Sequence, residues 1–136
     1  MTRVLAVDFG EKRVGLATSD ASGSLATPRL TLSRVSDGAL LDALAKFCAE
    51  EEIALAIFGI PRSPEGVESP FAARIRSFAA KFELRTNLPA RFHEETLTSN
   101  EAARRLPPGA PREEIDRTAA AVLLEDYLQS AGPEGR

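Results

Sequence analysis

A single cysteine among 136 residues excludes an internal disulfide, so the fold must be held by its core. Cys48 itself falls in an apolar helical pattern and reads as a small core residue, with an intermolecular bridge as its alternative use. No run of about 18 apolar residues is present, which excludes a transmembrane helix. The opening segment MTRVLAVDFG has no signal-peptide anatomy. Together these absences predict a cytoplasmic protein. An excess of positive charge is missing too: the net charge is −3 and the pI about 5.3. Chains that grip nucleic acid by charge alone are basic overall. A nucleic-acid role here would need a local basic patch, or metal ions that screen the carboxylates. Aromatic residues make up only 6%, with no long basic arm and no stacking pair, which argues against sequence-specific recognition by this chain alone.

What is present is a globular balance, 43% hydrophobic and 27% charged, over a length that suits one domain spanning residues 1–136. Residues 3–8 read as a buried strand, since VLAV is apolar on both faces. Residues 12–19 and 24–33 read as two more strands, the first joined to residues 3–8 by the short Gly10-Glu11 link. Pro28 suggests that the third strand is an edge. Ser36-Asp37 caps a helix over about 38–51, residues 53–58 form a strand ended by Gly59-Ile60-Pro61, and Arg62–Gly66 is a polar loop. A helix over about 68–82, a short strand over 90–94, and a helix over 99–106 capped by Thr98 or Ser99 follow. The segment 107–111 (PPGAP) is irregular and flexible, the last helix runs over about 112–129, and the tail from about 130 frays. The order β-β-β-α-β-α-β-α-α predicts an α/β fold. Its mixed five-stranded sheet has three antiparallel strands, then parallel ones, with helices on both faces and the first strand in the middle.

Asp8 ends the central strand, where a carboxylate is hard to solvate and costly to bury unpaired. Sites in open α/β sheets gather outside the carboxyl ends of strands. Glu94 and Glu95 end the strand over 90–94, and Asp116 precedes a small-residue run, RTAAA, that lets a helix pack closely on a sheet. Taken singly, each acid has a plainer role, as a turn residue or at a helix N-terminus. Converging, they would repel one another unless they held divalent metal, and hard oxygen ligands suit magnesium or manganese. Two such ions about 4 Å apart can clamp the attacking water and the leaving oxygen of a phosphodiester.

Four stretches in order, VDFGEKRVGLATSD, the FGIP loop with Gly66, HEETLTSNEA and IDRTAAAVLLEDYL, resemble the YqgF family, also called RuvX, of RNase H-like nucleases. The resemblance runs from residue 3 to about 129 and implies an RNase H-like fold. It places the family's catalytic, metal-binding acids on Asp8, Glu95 and Asp116, with Mg2+ or Mn2+ as cofactor. Glu94 stands where the family commonly has Asp and ranks below Glu95. Lys12, Arg13, Gly59, Thr98 and Ser99 are candidate substrate-binding positions: the two cations for phosphate, the glycine for room near the acids, the hydroxyls as phosphate contacts or as helix caps. Arg74 and Arg76 fit a solvated helix face. His93 is either a proton shuttle or a residue packed at a strand edge.

The resemblance implies metal-dependent phosphodiester hydrolysis, in maturation of the 5′ end of pre-16S ribosomal RNA or, as the alternative, in resolution of four-way DNA junctions. The partner would be structured RNA or branched DNA, with a homodimer and a ribosomal-particle or protein partner as further expectations and no membrane. A non-catalytic RNase H-like scaffold is the competing class, and the three retained acids argue against it. An actin-like ATPase would need a second domain around its nucleotide, for which 136 residues are too few.

Overall fold

In the computed structural model, which describes residues 3–62, 66–95 and 98–131, the apolar run after Arg3 becomes β1, Val4–Phe9, the central strand of a five-stranded sheet. Gly10 makes the first turn. Its N–H donates to the Arg13 carbonyl at 2.9 Å, and a Cβ there would stand 2.6 Å from that same oxygen. β2, Arg13–Ser19, returns antiparallel to β1 and puts Gly15 opposite Asp8. β3, Ala26–Ser33, pairs antiparallel with β2 at the edge of the sheet, as Pro28 predicts. Leu16 faces Leu30 while Ala17 faces Pro28, so Arg29 is the extra residue of a bulge. The turn into β3 is held by Asp20. Its carboxylate accepts from the Ser22 hydroxyl and from the Leu25 and Ser24 amides, which pull its pKa down to about 2.

The chain then crosses over the sheet. α1, Asp37–Glu50, starts at Ser36, whose hydroxyl oxygen accepts from the Ala39 amide at 3.1 Å. β4, Leu55–Pro61, lies parallel beside β1. α2, Pro70–Thr86, begins with a proline after the Ser69 cap and stops at Asn87, which takes the left-handed conformation with φ 59°. β5, Ala90–Glu95, pairs parallel with β4. α3, Thr98–Arg105, and α4, Arg112–Ala131, complete the described residues. The strand order is β3-β2-β1-β4-β5. This is the expected α/β architecture with its mixed sheet, helices on both faces and β1 at the centre.

Strand alternation sorts the side chains. Leu5, Val7, Phe9, Phe58 and Ile60 point to the face covered by α1 and α2, where Leu40, Leu44, Ile75, Phe78 and Phe82 fill a thick core. Val4, Ala6, Leu55 and Ile57 point to the other face, covered by α4 through Ala120, Ala121, Leu123 and Leu124. Asp8, Gly15 and Gly59 fall on this second face.

Several boundaries differ from those read in the sequence. Gly59-Ile60-Pro61 does not end β4 but belongs to it, because β5 supplies a parallel partner, with Gly59 opposite His93 and Pro61 opposite Glu95. α2 continues four residues past 82, since Phe82 is fully buried and keeps that turn packed. β3 begins at Ala26, after the Asp20 turn, rather than at 24. Thr98 is the first residue of α3 rather than outside it. α4 includes residues 130 and 131 of the expected tail. Residues 132–136 of that tail and residues 63–65 of the expected polar loop lie outside the described residues. The segment 107–111 is a turn: the Ala110 amide donates to the Pro107 carbonyl, and Pro111 accepts from Glu114 and Ile115 to start α4. Among the described residues no helix is long and apolar enough to cross a membrane.

Candidate active site

Two glycines bring the acids together. A Cβ at Gly15 would lie 2.0 Å from the Asp116 carbonyl oxygen and 2.9 Å from the Arg117 nitrogen. The first turns of α4 therefore rest directly on the backbone of β2, at the residue paired with Asp8. The buried Thr118, Ala119 and Ala120 continue this close approach. A Cβ at Gly59 would lie 2.7 Å from Glu95 Oε2. Gly59 is one position beyond the Val7–Phe58 pair, on the strand between β1 and β5. Its missing side chain is what lets the Glu95 carboxylate lean across β4 towards Asp8.

Asp8 and Glu95 meet there and share a hydrogen bond. Burial pushes Asp8 well above the usual carboxylate range, and Glu95 and then Asp116 add repulsion in the same direction. Burial also raises Glu95, offset in part by hydrogen bonds from Asp8 and from the Thr98 hydroxyl, 3.3 Å from Oε2. Burial and the nearness of the two carboxyls to each other both favour the uncharged form of Asp8. Asp116 is close enough to act on Asp8, but its Oδ2 accepts from Arg13 Nε at 2.6 Å. The three acids thus reach one sheet edge as a pair and a neighbour. Among the described residues no three acid, histidine or cysteine side chains already enclose a metal position. The donor chemistry nonetheless fits a hard divalent cation: two carboxyls with raised proton affinity stand in contact, with a third beside them.

The remaining candidates separate. Glu94 points to the opposite sheet face, exposed, with Arg62 at 3.7 Å. Lys12 is exposed on the β1–β2 turn, and Ser99 is exposed at the start of α3. Thr98 is buried, and its hydroxyl serves Glu95. His93 Nε2 lies 2.6 Å from Asp126 Oδ2, and the ring meets Tyr127 edge-on, which is packing at the strand edge. Arg104 and Arg105 are engaged by Glu101, and Arg105 also by Glu125, tying α3 to α4. Arg74 stacks on Phe71 and Arg76 on Phe92. Cys48 is buried, which pushes its thiol up to about 12 and makes it unreactive. A cleft of about 340 Å³ opens beside Glu95, lined also by Thr98, Glu101, Arg104, Leu123 and Asp126.

Two residues of the site were not singled out in the sequence. A glycine inside an apolar strand pattern signals a close backbone approach, and that signal points to Gly15. Arg34 carries no such signal. Its guanidinium lies 4.6 Å from the centre of the Phe9 ring and donates to the Gly10 and Glu11 carbonyls, bracing the turn beside Asp8.

The model of a family described as RuvX: Holliday junction resolvase matches residues 2–130. The chain belongs to the RuvX family. Among its relatives, a protein of Anaeromyxobacter sp. (strain K) is 34% identical over 96% of this chain and 99% of its own length. One of Chloroflexus aggregans is 31% identical over 93% of each. Both are provisionally named pre-16S rRNA nucleases. Among solved structures, RuvC of T. thermophilus bound to a Holliday junction aligns with a TM-score of 0.62 at 10% identity, covering 96% of this chain and 95% of that one. Fowlpox virus resolvase with Holliday junction DNA aligns at 0.57 and 13%, covering 94% and 97%. At such identities the likeness concerns the fold, which is RNase H-like. The Asp8, Glu95 and Asp116 constellation of this RuvX chain therefore stands on an RNase H-like sheet.

Proposed function

We propose that this chain is a divalent-metal-dependent nuclease that hydrolyses phosphodiester bonds in the maturation of the 5′ end of pre-16S ribosomal RNA. The observation that carries the reading is the Asp8–Glu95 pair. Two carboxyls are held in contact at the centre of a sheet, at a cost in proton affinity, with Asp116 beside them. A purely structural design would place an arginine or an apolar side chain there. The names of relatives at 31–34% identity support RNA as the substrate.

Asp8, Glu95 and Asp116 would hold Mg2+ or Mn2+, which when bound supplies charge stabilisation and a water of lowered pKa. The chain's own residues do the rest. Gly59 and Thr98 fix the Glu95 carboxylate, and Gly15 fixes the backbone of Asp116. Lys12, on the β1–β2 turn, and Arg13, the first residue of β2, would meet a phosphate, and Ser99 would offer a hydroxyl at the start of α3. No side-chain nucleophile is required. The description of the family model favours a second reading, cleavage of four-way DNA junctions.

The test is cleavage of a labelled pre-16S RNA fragment and of a mobile four-way DNA junction, side by side, with Mg2+ or Mn2+. Asp8→Asn serves as control on both and should lower cleavage by at least about a thousandfold, the scale of removing a central electrostatic group. RNA cleavage lost in the control supports the proposal. Symmetric nicking of the junction alone replaces it with the second reading. Cleavage that survives Asp8→Asn overturns the site, and no cleavage of either substrate favours the scaffold class.

A further inference from the structure

The acids of the site have two different kinds of partner. Asp8 and Glu95 share a hydrogen bond with each other. Asp116 is neutralised by a guanidinium, Arg13 Nε to Oδ2 at 2.6 Å, with the two side chains only 28% and 23% exposed. Both partners are fixed at the root. The Arg13 carbonyl closes the Gly10 turn at 2.9 Å, and the Asp116 backbone rests on Gly15, where not even a methyl group fits. Separation of the pair therefore requires the long Arg13 side chain to rotate, since α4 cannot withdraw without leaving the sheet. A carboxylate oxygen that accepts from a guanidinium offers its lone pairs to one cation already, so a metal ion and Arg13 compete for Asp116. The planar fork of arginine fits a phosphate as well as it fits a carboxylate. Lys12, the adjacent exposed cation, lies on the same turn and marks where phosphate would approach.

We propose that Arg13 is a placeholder cation on Asp116 that exchanges this carboxylate for a substrate phosphate, so that metal binding at Asp116 and nucleic-acid binding are coupled through one side chain. The proposal rests on the metal-dependent nuclease reading and adds its regulation. Before substrate arrives, the third ligand is withheld and the hydrolytic centre is incomplete. A phosphodiester gives Arg13 a second partner of equal chemistry and frees Asp116. The coupling is reciprocal: whatever factor the phosphate adds to metal affinity, the metal adds to phosphate affinity.

The experiment titrates Mn2+ into the full chain, followed by the electron paramagnetic resonance of the free ion. Titrations are run with and without a phosphorothioate-substituted pre-16S RNA fragment that resists cleavage, and in parallel with a phosphorothioate four-way DNA junction. Wild type should bind Mn2+ about tenfold more tightly with nucleic acid than without. Arg13→Gln should bind it that tightly without nucleic acid and gain less than about twofold from adding it. Arg13→Lys, which keeps the charge but not the fork, should fall between them and guards against a folding defect in the glutamine variant. Lys12→Gln should weaken nucleic-acid binding yet keep the wild-type response of Mn2+ to it. Equal nucleic-acid enhancement in wild type and Arg13→Gln, or unchanged Mn2+ affinity in Arg13→Gln alone, overturns the placeholder role. Mn2+ binding that is the same in wild type and Asp8→Asn overturns instead the metal-site reading beneath it.

Discussion

The two faces of the sheet are built on opposite principles. The face under α1 and α2 carries large side chains, with Phe9, Phe58, Phe78 and Phe82 in ring contacts of 4.9–6.2 Å. The face under α4 packs Val4, Leu55 and Ile57 on Leu123 and Leu124 at one end, but towards the acids it narrows to Ala6, Ala17, Gly15 and Gly59, where α4 and Glu95 come within contact of the strands. Large residues hold elements together by area and keep them about a side chain apart. Small residues bring backbone to within contact distance of backbone, and that proximity lets an acid from a helix approach two acids from strands at one sheet edge. Both faces bury an apolar core, but the face under α4 gives up core volume at one end so that carboxylates can approach one another. The same sheet serves both because side chains alternate along its strands.

The sharpest way to break this division is to remove a ring from the thick face. Phe82 is fully buried and meets Phe58 edge-on at 5.6 Å. Phe82→Ala should lower unfolding stability by about 3–5 kcal/mol in chemical denaturation. The folded fraction should bind Mn2+ as wild type does, because the acids stand on the other face. A large loss of metal affinity in the folded variant would show that the faces are not independent.

The converse change adds one methyl group to the thin face. Gly15→Ala puts a Cβ 2.0 Å from the Asp116 carbonyl, backbone against backbone, where no side chain can yield. The expected loss of stability is smaller, about 1–3 kcal/mol, while metal affinity and cleavage should both fall as α4 lifts and carries Asp116 away from Asp8. Gly38, a helical glycine with open space around it, is the control, and Gly38→Ala should leave both measurements unchanged.

This contrast also explains what the sequence disclosed. The thick face was legible, since apolar positions at helical spacing in 38–51 and 68–82 and the apolar strands at 3–8 and 53–58 are what a buried layer requires. The edge position of β3 followed from Pro28, and the element order from its turns and caps. The acids stood out as charges at strand and helix ends, but their meeting did not, because it depends on absent atoms: the missing side chains of Gly15 and Gly59. In sequence, Gly59-Ile60-Pro61 looks like the end of a strand, and only the parallel partner β5 keeps it in the sheet. The Arg13–Asp116 and His93–Asp126 pairs span 103 and 33 residues, and no local pattern announces contacts at such separations.

The smallest expected effect has the opposite sign and bears most directly on the division. On the thick face every truncation should destabilise, whereas on the thin face removing a charge should stabilise the metal-free chain. Burial and the nearness of Glu95 raise the Asp8 pKa in the folded state above its value in the unfolded chain, near 4. A carboxyl with a raised folded pKa favours folding while protonated. Its favourable contribution is complete below the unfolded value and is lost as pH rises through the folded one. Metal-free wild type should therefore lose stability relative to Asp8→Asn as pH climbs from about 4, and above that range Asp8→Asn should be the more stable of the two. Paired thermal melts in chelator across pH read the difference directly, and acids elsewhere in the fold cancel between the two proteins. Added Mn2+ should close the gap by stabilising wild type alone, since a ligand that binds only the folded chain adds to its stability. Parallel pH curves for the two proteins would mean that Asp8 bears no electrostatic strain, and the thin face would then be an ordinary core with small residues rather than one shaped around its acids.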